Sequence, residues 1–306
     1  MPLDPNAKVF LEDQALLNLP DVSEIGVLAR YVGHEEIDIG GPIGHEATIS
    51  HRYITTPTAD VPVRIYTPRR VGPYKGMVYF HGGGWVFGHI DRYDSQLVEL
   101  ADKTNSIIIS VNYQKSPEHK FPIPHDDCFA ALKWMIENAD SLNINENQIG
   151  IGGDSAGGNL AAGVALRARD EEISLAYQLL IYPATNLLFD TDSYLQNSEE
   201  FGLRRRGMIW FWEQYLKQSD HSNGYAVPAV AEDHTRLAPA IIITAEYDVL
   251  RDDGLEYAKI LRNAANRVAH RDFAGQIHGF FSLAKYIPES YVLRNWIADE
   301  INGLTN

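Results

Sequence analysis

Apolar residues fall along the chain in two alternating rhythms. Short continuous apolar runs recur, among them Ile107-Ile108-Ile109 and Ile241-Ile242-Ile243. Runs of this kind mark strands buried on both faces, as in a parallel sheet covered by helices. The pattern predicts strands over Ile49–Thr55, Val61–Thr67, Gly76–Phe80, Ser106–Asn112, Gln148–Gly152, Ala176–Tyr182, Ala240–Ala245 and Val268–Phe273. Between them, Tyr93–Lys103, His125–Asn138, Ala156–Arg169 and Asp252–Asn266 carry apolar residues three or four apart, the spacing of one helix face. No helical pattern separates the first two strands. That predicts an antiparallel start on a largely parallel sheet, an α/β plan.

The alternation breaks over about 186–235, which holds Phe189, Tyr194, Phe201, Trp210, Phe211, Trp212 and Tyr215 but no strong strand pattern. So many aromatics need something to cover, so the stretch is expected to pack over one end of the sheet. Residues 1–45 mix short helical patterns with Gly40-Gly41-Pro42. No repeat or low-complexity linker divides the chain, and 1–306 reads as a single domain.

Composition narrows the function classes. Hydrophobic residues make up 45% and charged residues 22%, which is globular and argues against disorder. Lys and Arg number 26 against 41 Asp and Glu, a formal charge of −15. Such a surface repels a phosphate backbone, so nucleic acid is not an expected partner. The densest basic run, Arg204-Arg205-Arg206, reads as a solvated surface turn. Cys128 is the one cysteine; it cannot close an internal disulfide and reads as a buried inert thiol. No apolar run approaches the ~18 residues of a membrane span. Met1-Pro2-Leu3-Asp4-Pro5 lacks the basic start and apolar core of a signal peptide, and no Asn-x-Ser/Thr occurs. A soluble cytoplasmic protein is expected.

One constellation carries chemistry. Gly153-Asp154-Ser155-Ala156-Gly157 matches Gly-x-Ser-x-Gly, with a strand leading in and a small-residue helix leading out. A sharp strand–turn–helix elbow strains the serine backbone and lifts its hydroxyl clear. Upstream, His81-Gly82-Gly83-Gly84-Trp85 follows a strand directly. Consecutive glycines leave backbone N–H groups unencumbered, and such groups stabilise a developing oxyanion. His81 precedes the serine and reads as an orienting or packing residue, with Gly82 as motif support.

A serine nucleophile needs a base, and the base an acid to orient it. Chains with this elbow place them in the order Ser, acid, His. Asp248 ends the run Ala240 to Tyr247. Its rivals Asp252 and Asp253 open a helix and look like N-terminal caps. With Asp248 as the acid, His270 and His278 remain as bases. His270 lies inside a strand pattern, whereas His278 lies in the loop Gly275-Gln276-Ile277-His278-Gly279-Phe280, which favours His278.

These residues also carry a resemblance. The chain resembles the hormone-sensitive-lipase-like family of α/β-hydrolases, bacterial carboxylesterase branch. The matching text is His81 to Trp85, Ser116-Pro117-Glu118-His119-Lys120-Phe121-Pro122, Gly153 to Leu160, Asp248-Val249-Leu250-Arg251-Asp252-Asp253-Gly254 and His278-Gly279-Phe280, in that order. The resemblance implies an α/β-hydrolase fold: a mostly parallel sheet flanked by helices, with a helical cap formed by about 1–45 and about 186–235. It implies Ser155 as nucleophile, His278 as base, Asp248 as its orienter, and an oxyanion hole of the Gly83, Gly84 and Ala156 backbone N–H groups. It implies hydrolysis of short- to medium-chain carboxylic esters through an acyl-enzyme, without metal or cofactor. Asn186 departs from the family, which often has an acidic residue there, and so the cap entrance transfers less well than the triad. The expected partner is a small-molecule ester, and the expected state a monomer or homodimer.

Other readings fit less well. Gly150-Ile151-Gly152 follows a strand, but the third small residue of a dinucleotide fingerprint is replaced by Ser155. No His-Glu-x-x-His is present for a metal hydrolase. A ligand-binding receptor on the same fold typically loses a triad member, and all three are here. An amide, lactone or acetyl preference uses the same triad and stays open.

Overall fold

The computed structural model of the chain describes residues 1–30 and 39–305. Residues 31–38, part of the expected N-terminal cap segment, lie outside the described residues. Eight strands form one sheet: β1 Ala47–Thr55, β2 Asp60–Pro68, β3 Tyr74–Phe80, β4 Ser106–Val111, β5 Ile144–Asp154, β6 Gln178–Ile181, β7 Ala240–Tyr247 and β8 Val268–Ile277. Their spatial order is β1-β2-β4-β3-β5-β6-β7-β8. β2 pairs antiparallel with both β1 and β4, and the remaining pairs are parallel. This is the α/β-hydrolase sheet that the motifs imply.

The helices among the described residues are α1 Pro5–Leu16, α2 Val22–Ile25, α3 Asp94–Thr104, α4 Ile123–Glu137, α5 Ala156–Asp170, α6 Asp192–Gln196, α7 Arg205–Tyr215, α8 Arg251–Asn263 and α9 Glu289–Thr305. Side chains alternate across a strand, and β3 shows the result. Val78 and Phe80 join a core with α4, α5 and α8, through Leu132, Leu160 and Leu261. Met77 and Tyr79 join a second core with α3 and α9, through Leu97, Leu293 and Ile297. Two helical layers therefore sandwich the sheet, which is why β4 is buried at every residue. No described helix is long and apolar enough to cross a membrane.

Two expectations need correction here. The Arg204-Arg205-Arg206 run is not a solvated turn: Arg204 precedes α7, and Arg205 and Arg206 open it. Arg206 pairs with Glu24 at 3.0 Å and Asp21 at 3.5 Å, and Arg204 reaches Asp21 at 3.4 Å. The run thus joins the N-terminal segment to the insertion. Asp252 and Asp253 stand in the first turn of α8, but their carboxylates serve other segments. Asp253 accepts from the backbone N–H of Thr185 and Asn186, and Asp252 from that of Ser193, so both anchor the insertion.

Candidate active site

The chemistry-bearing loops leave the sheet at the carboxyl ends of β3, β5, β7 and β8, the edge where open parallel sheets place their sites. Strand pairing sets the spacing. Phe80 pairs with Gly153, so the glycine loop and the serine elbow start side by side. Tyr247 pairs with Ile277, so Asp248 and His278 each follow one member of a paired couple. A register shift in β7–β8 between Ala245 and Tyr247 makes that alignment. Strand β8 runs through Gly275, at φ 77°, to Ile277 instead of stopping at Phe273. His278 is therefore held at a strand end rather than on a free loop.

Ser155 has φ 56° and ψ −120°, a region L residues rarely occupy. The surroundings fix it there. Its N–H donates to Ile181 O at 2.8 Å, and its carbonyl accepts from Asn159 N at 3.0 Å. Gly157 allows the tight turn, because a Cβ there would lie 1.9 Å from Phe80 O. His278 Nε2 stands 2.9 Å from Ser155 Oγ, and its Nδ1 stands 2.7 Å from Asp248 Oδ2. A carboxylate only accepts, so Nδ1 carries the proton and Nε2 is free to accept from the hydroxyl. Asp248 is 1% exposed, and its other oxygen accepts from Leu250 N at 2.9 Å. The rivals fall elsewhere: His270 pairs in register with Ile242 and donates to Thr244 Oγ1 at 3.0 Å, while that hydroxyl donates to Asp272.

The glycine loop turns tightly, with φ 114° at Gly83 and 60° at Gly84. Val86 N and Phe87 N donate to Gly83 O at 3.1 and 2.8 Å. The N–H groups of Gly83, Gly84 and Ala156 have no acceptor among the described residues. A Cβ on Gly84 would sit 2.1 Å from the Phe211 ring, so α7 of the insertion lies directly on the loop. Phe87 stacks on Trp210 at 6.2 Å and meets the Phe211 ring edge-on at 5.5 Å. His81 is fully buried, stacked on Tyr113 at 4.5 Å, and donates from Nδ1 to Gly82 O at 2.7 Å. Burial pushes its imidazole well below the ordinary value and keeps it neutral. It touches neither Ser155 nor His278 by any hydrogen bond among the described residues.

Several positions had no role in the sequence reading. Asn159, in the helix after the serine, accepts from Trp85 Nε1 at 3.2 Å and donates to Ala184 O and Ala226 O. It joins the glycine loop to both ends of the insertion. Arg30 donates to Val86 O and Ser116 O and pairs with Glu118 at 2.8 Å. Lys120 and Phe121 bond backbone groups at the end of α7. The Ser116–Pro122 motif is thus a strap between the glycine loop, the N-terminal segment and the insertion. Its Arg30 partner carries no local signal. Asn159 lies within the Gly153–Leu160 motif, and a polar residue on a helix face of small residues is the signal that marks it.

A strained serine against a histidine backed by a buried aspartate, at the carboxyl edge of a parallel sheet, is the arrangement of serine hydrolases on an α/β scaffold. A model of the alpha/beta hydrolase fold family matches residues 77–282, and the chain belongs to that family, in its hormone-sensitive-lipase-like branch. It is 32% identical over 314 residues to the arylacetamide deacetylase of Bos taurus, covering 79% of this chain and 78% of that protein. It is 36% identical over 249 residues to carboxylesterase NlhH of Mycobacterium tuberculosis, covering 79% and 77%. A solved ester hydrolase from the metagenome of Lake Arreo, complexed with a derivative of bipyridine phosphonate, superposes with a TM-score of 0.92 at 32% identity over 98% of both chains.

Proposed function

We propose that this chain, a carboxylic ester hydrolase, cleaves short- to medium-chain esters through an acyl-enzyme on Ser155. The observation that carries the reading is the relay from Ser155 Oγ through His278 to Asp248 Oδ2, at 2.9 and 2.7 Å. His278 Nε2 takes the hydroxyl proton as Oγ attacks the ester carbonyl. The tetrahedral oxyanion is held by the Gly83, Gly84 and Ala156 N–H groups. His278 returns the proton to the leaving alcohol. Water, deprotonated by the same nitrogen, then cleaves the acyl-enzyme to the acid and free Ser155. Asp248 holds the imidazole in its Nδ1–H tautomer and stabilises the imidazolium. The described parts of 1–45 together with 186–235 form the cap. The substrate is a small ester. The location is cytoplasmic, consistent with a lone buried Cys128 that needs no oxidising compartment, and the state is monomer or homodimer.

Chain-length selectivity tests this reading. Phe211 lies against Gly84, and Phe87 packs on both Phe211 and Trp210; an acyl pocket bounded by these rings has a finite reach. Each acyl CH₂ buried contributes ~0.8 kcal/mol, roughly fourfold in binding, until the pocket is full. On p-nitrophenyl esters, kcat/KM below the micelle threshold is expected to rise and then fall, with its maximum between about four and eight carbons. A steady rise through about sixteen carbons, with a jump at an oil–water interface, indicates a lipase instead. Faster cleavage of matched anilides than of esters indicates an amidase.

A further inference from the structure

Asp154 lies between the elbow glycine and Ser155, is buried, and among the described residues makes no hydrogen bond to Asp248 or His278 through its side chain. A carboxylate taken out of water persists only where donors surround it. Three converge here. Tyr79 of β3 donates to Oδ1 at 2.8 Å, the N–H of Gly82 donates to Oδ1 at 3.0 Å, and Tyr93 donates to Oδ2 at 3.0 Å. The Gly82 N–H also reaches Tyr93 Oη at 3.0 Å. Burial leaves the carboxyl above its ordinary value, although these three donors pull it down in part. Gly82 sits so close that a Cβ on it would lie 2.5 Å from Asp154 Oδ2.

The partners share one feature. Gly82 immediately precedes Gly83, and Asp154 immediately precedes Ser155 and Ala156. Tyr93 ends the 3-10 turn Ile90–Tyr93 beyond the glycine loop. The two strand ends already match, through the Phe80–Gly153 pair, but past that pair the chains diverge into a turn and an elbow. The carboxylate spans the gap that the sheet no longer controls.

We propose that Asp154 is a positioning residue: its side chain ties the glycine loop to the serine elbow and so sets the Gly83 and Gly84 N–H groups relative to Ser155 Oγ. The proposal rests on the acyl-enzyme reading above. Donors aimed at an oxyanion act on the transition state, so loosening them lowers kcat and leaves substrate binding in place. A side chain that only stabilised the fold would change melting temperature without separating kcat from KM. Asparagine is the informative replacement. Its carbonyl oxygen can accept from Tyr79 and Gly82, and its amide can donate to Tyr93.

The test compares the full-length wild type, Asp154→Ala, Asp154→Asn and Gly82→Ala on p-nitrophenyl butyrate. Folding is checked by near-ultraviolet circular dichroism and serine labelling by a p-nitrophenyl phosphonate. Asp154→Ala is expected to lower kcat on the order of 10²-fold with KM within about threefold. Asp154→Asn is expected to return kcat to within about fivefold of wild type. Gly82→Ala keeps the carboxylate but forces the loop away, and is expected to match Asp154→Ala, which keeps the proposal open to refutation if Asp154→Ala does not fold. Wild-type kcat in either alanine variant overturns the proposal, as does an Asp154→Asn enzyme as slow as Asp154→Ala. A wild type that resists phosphonate labelling overturns the acyl-enzyme reading itself, a result separate from the fate of the tether.

Discussion

Ser155→Ala is expected to abolish covalent labelling by a phosphonate and to lower kcat on the order of 10⁶-fold. The loss is that large because, on the proposed mechanism, the nucleophile and its relay act as one unit. Without Oγ, His278 has nothing to deprotonate on the enzyme, and no acyl-enzyme forms. The loss stops short of the uncatalysed rate. The elbow is held through backbone atoms, with Ser155 N on Ile181 O and Ser155 O on Asn159 N, so removing the hydroxyl leaves φ 56° and the neighbouring N–H groups in place. On the proposed mechanism the Gly83, Gly84 and Ala156 N–H groups and the binding surface then retain roughly 10³-fold over water. Turnover against time and an active-site titration on the same preparation check this. Wild-type turnover by the variant removes Ser155 from the mechanism.

The second large effect separates two histidines. His278→Asn is expected to cost about as much as Ser155→Ala, and the double variant no more than either, because a broken relay cannot be broken twice. His270→Asn is expected to keep kcat within about threefold. The geometry explains the contrast. His270 pairs with Ile242, six residues before Asp248, which places it roughly 20 Å back along the sheet at about 3.3 Å per residue. Among the described residues its ring bonds Thr244, and burial pushes its imidazole below the ordinary value. Its replacement lowers stability modestly, on the order of 1 kcal/mol, through one lost hydrogen bond. Equal activity losses in the two variants, with circular dichroism intact, reverse the assignment of the base.

Much of the sheet was legible in the sequence for a simple reason. Strands buried on both faces read as apolar runs, and all eight expected strands have counterparts in the structure. Helix α9 went unread although Leu293, Ile297 and Ile301 recur at four-residue spacing and are all buried; that signal was present. The extension of β8 was not legible, because Gly275 at φ 77° interrupts the pattern at the point where the register shifts. Arg204 and Arg206 read as surface charges because their partners, Asp21 and Glu24, lie far away along the chain. The same reason hid Arg30 and Asp154. Periodicity reports which face of an element is buried, but a polar tether between distant segments leaves no periodic trace. The motif-bearing positions were legible because their geometry is local: a glycine allows a turn or a close approach wherever it stands.

The register shift in β7–β8 gives the outermost strand an unusual duty. In most sheets the edge is the least protected part, opening and closing in local fluctuations well below the threshold of global unfolding. Here that edge carries His278 and the strand beside it carries Asp248, so the proposed base–acid couple exists only while β8 is docked in one alignment. A slip by a single residue would turn His278 to the opposite face of the sheet and leave the fold otherwise recognisable. On the proposed mechanism, any opening of β8 from β7 separates His278 from Asp248 while the rest of the sheet keeps its pairing, so activity reports the docking of this one strand.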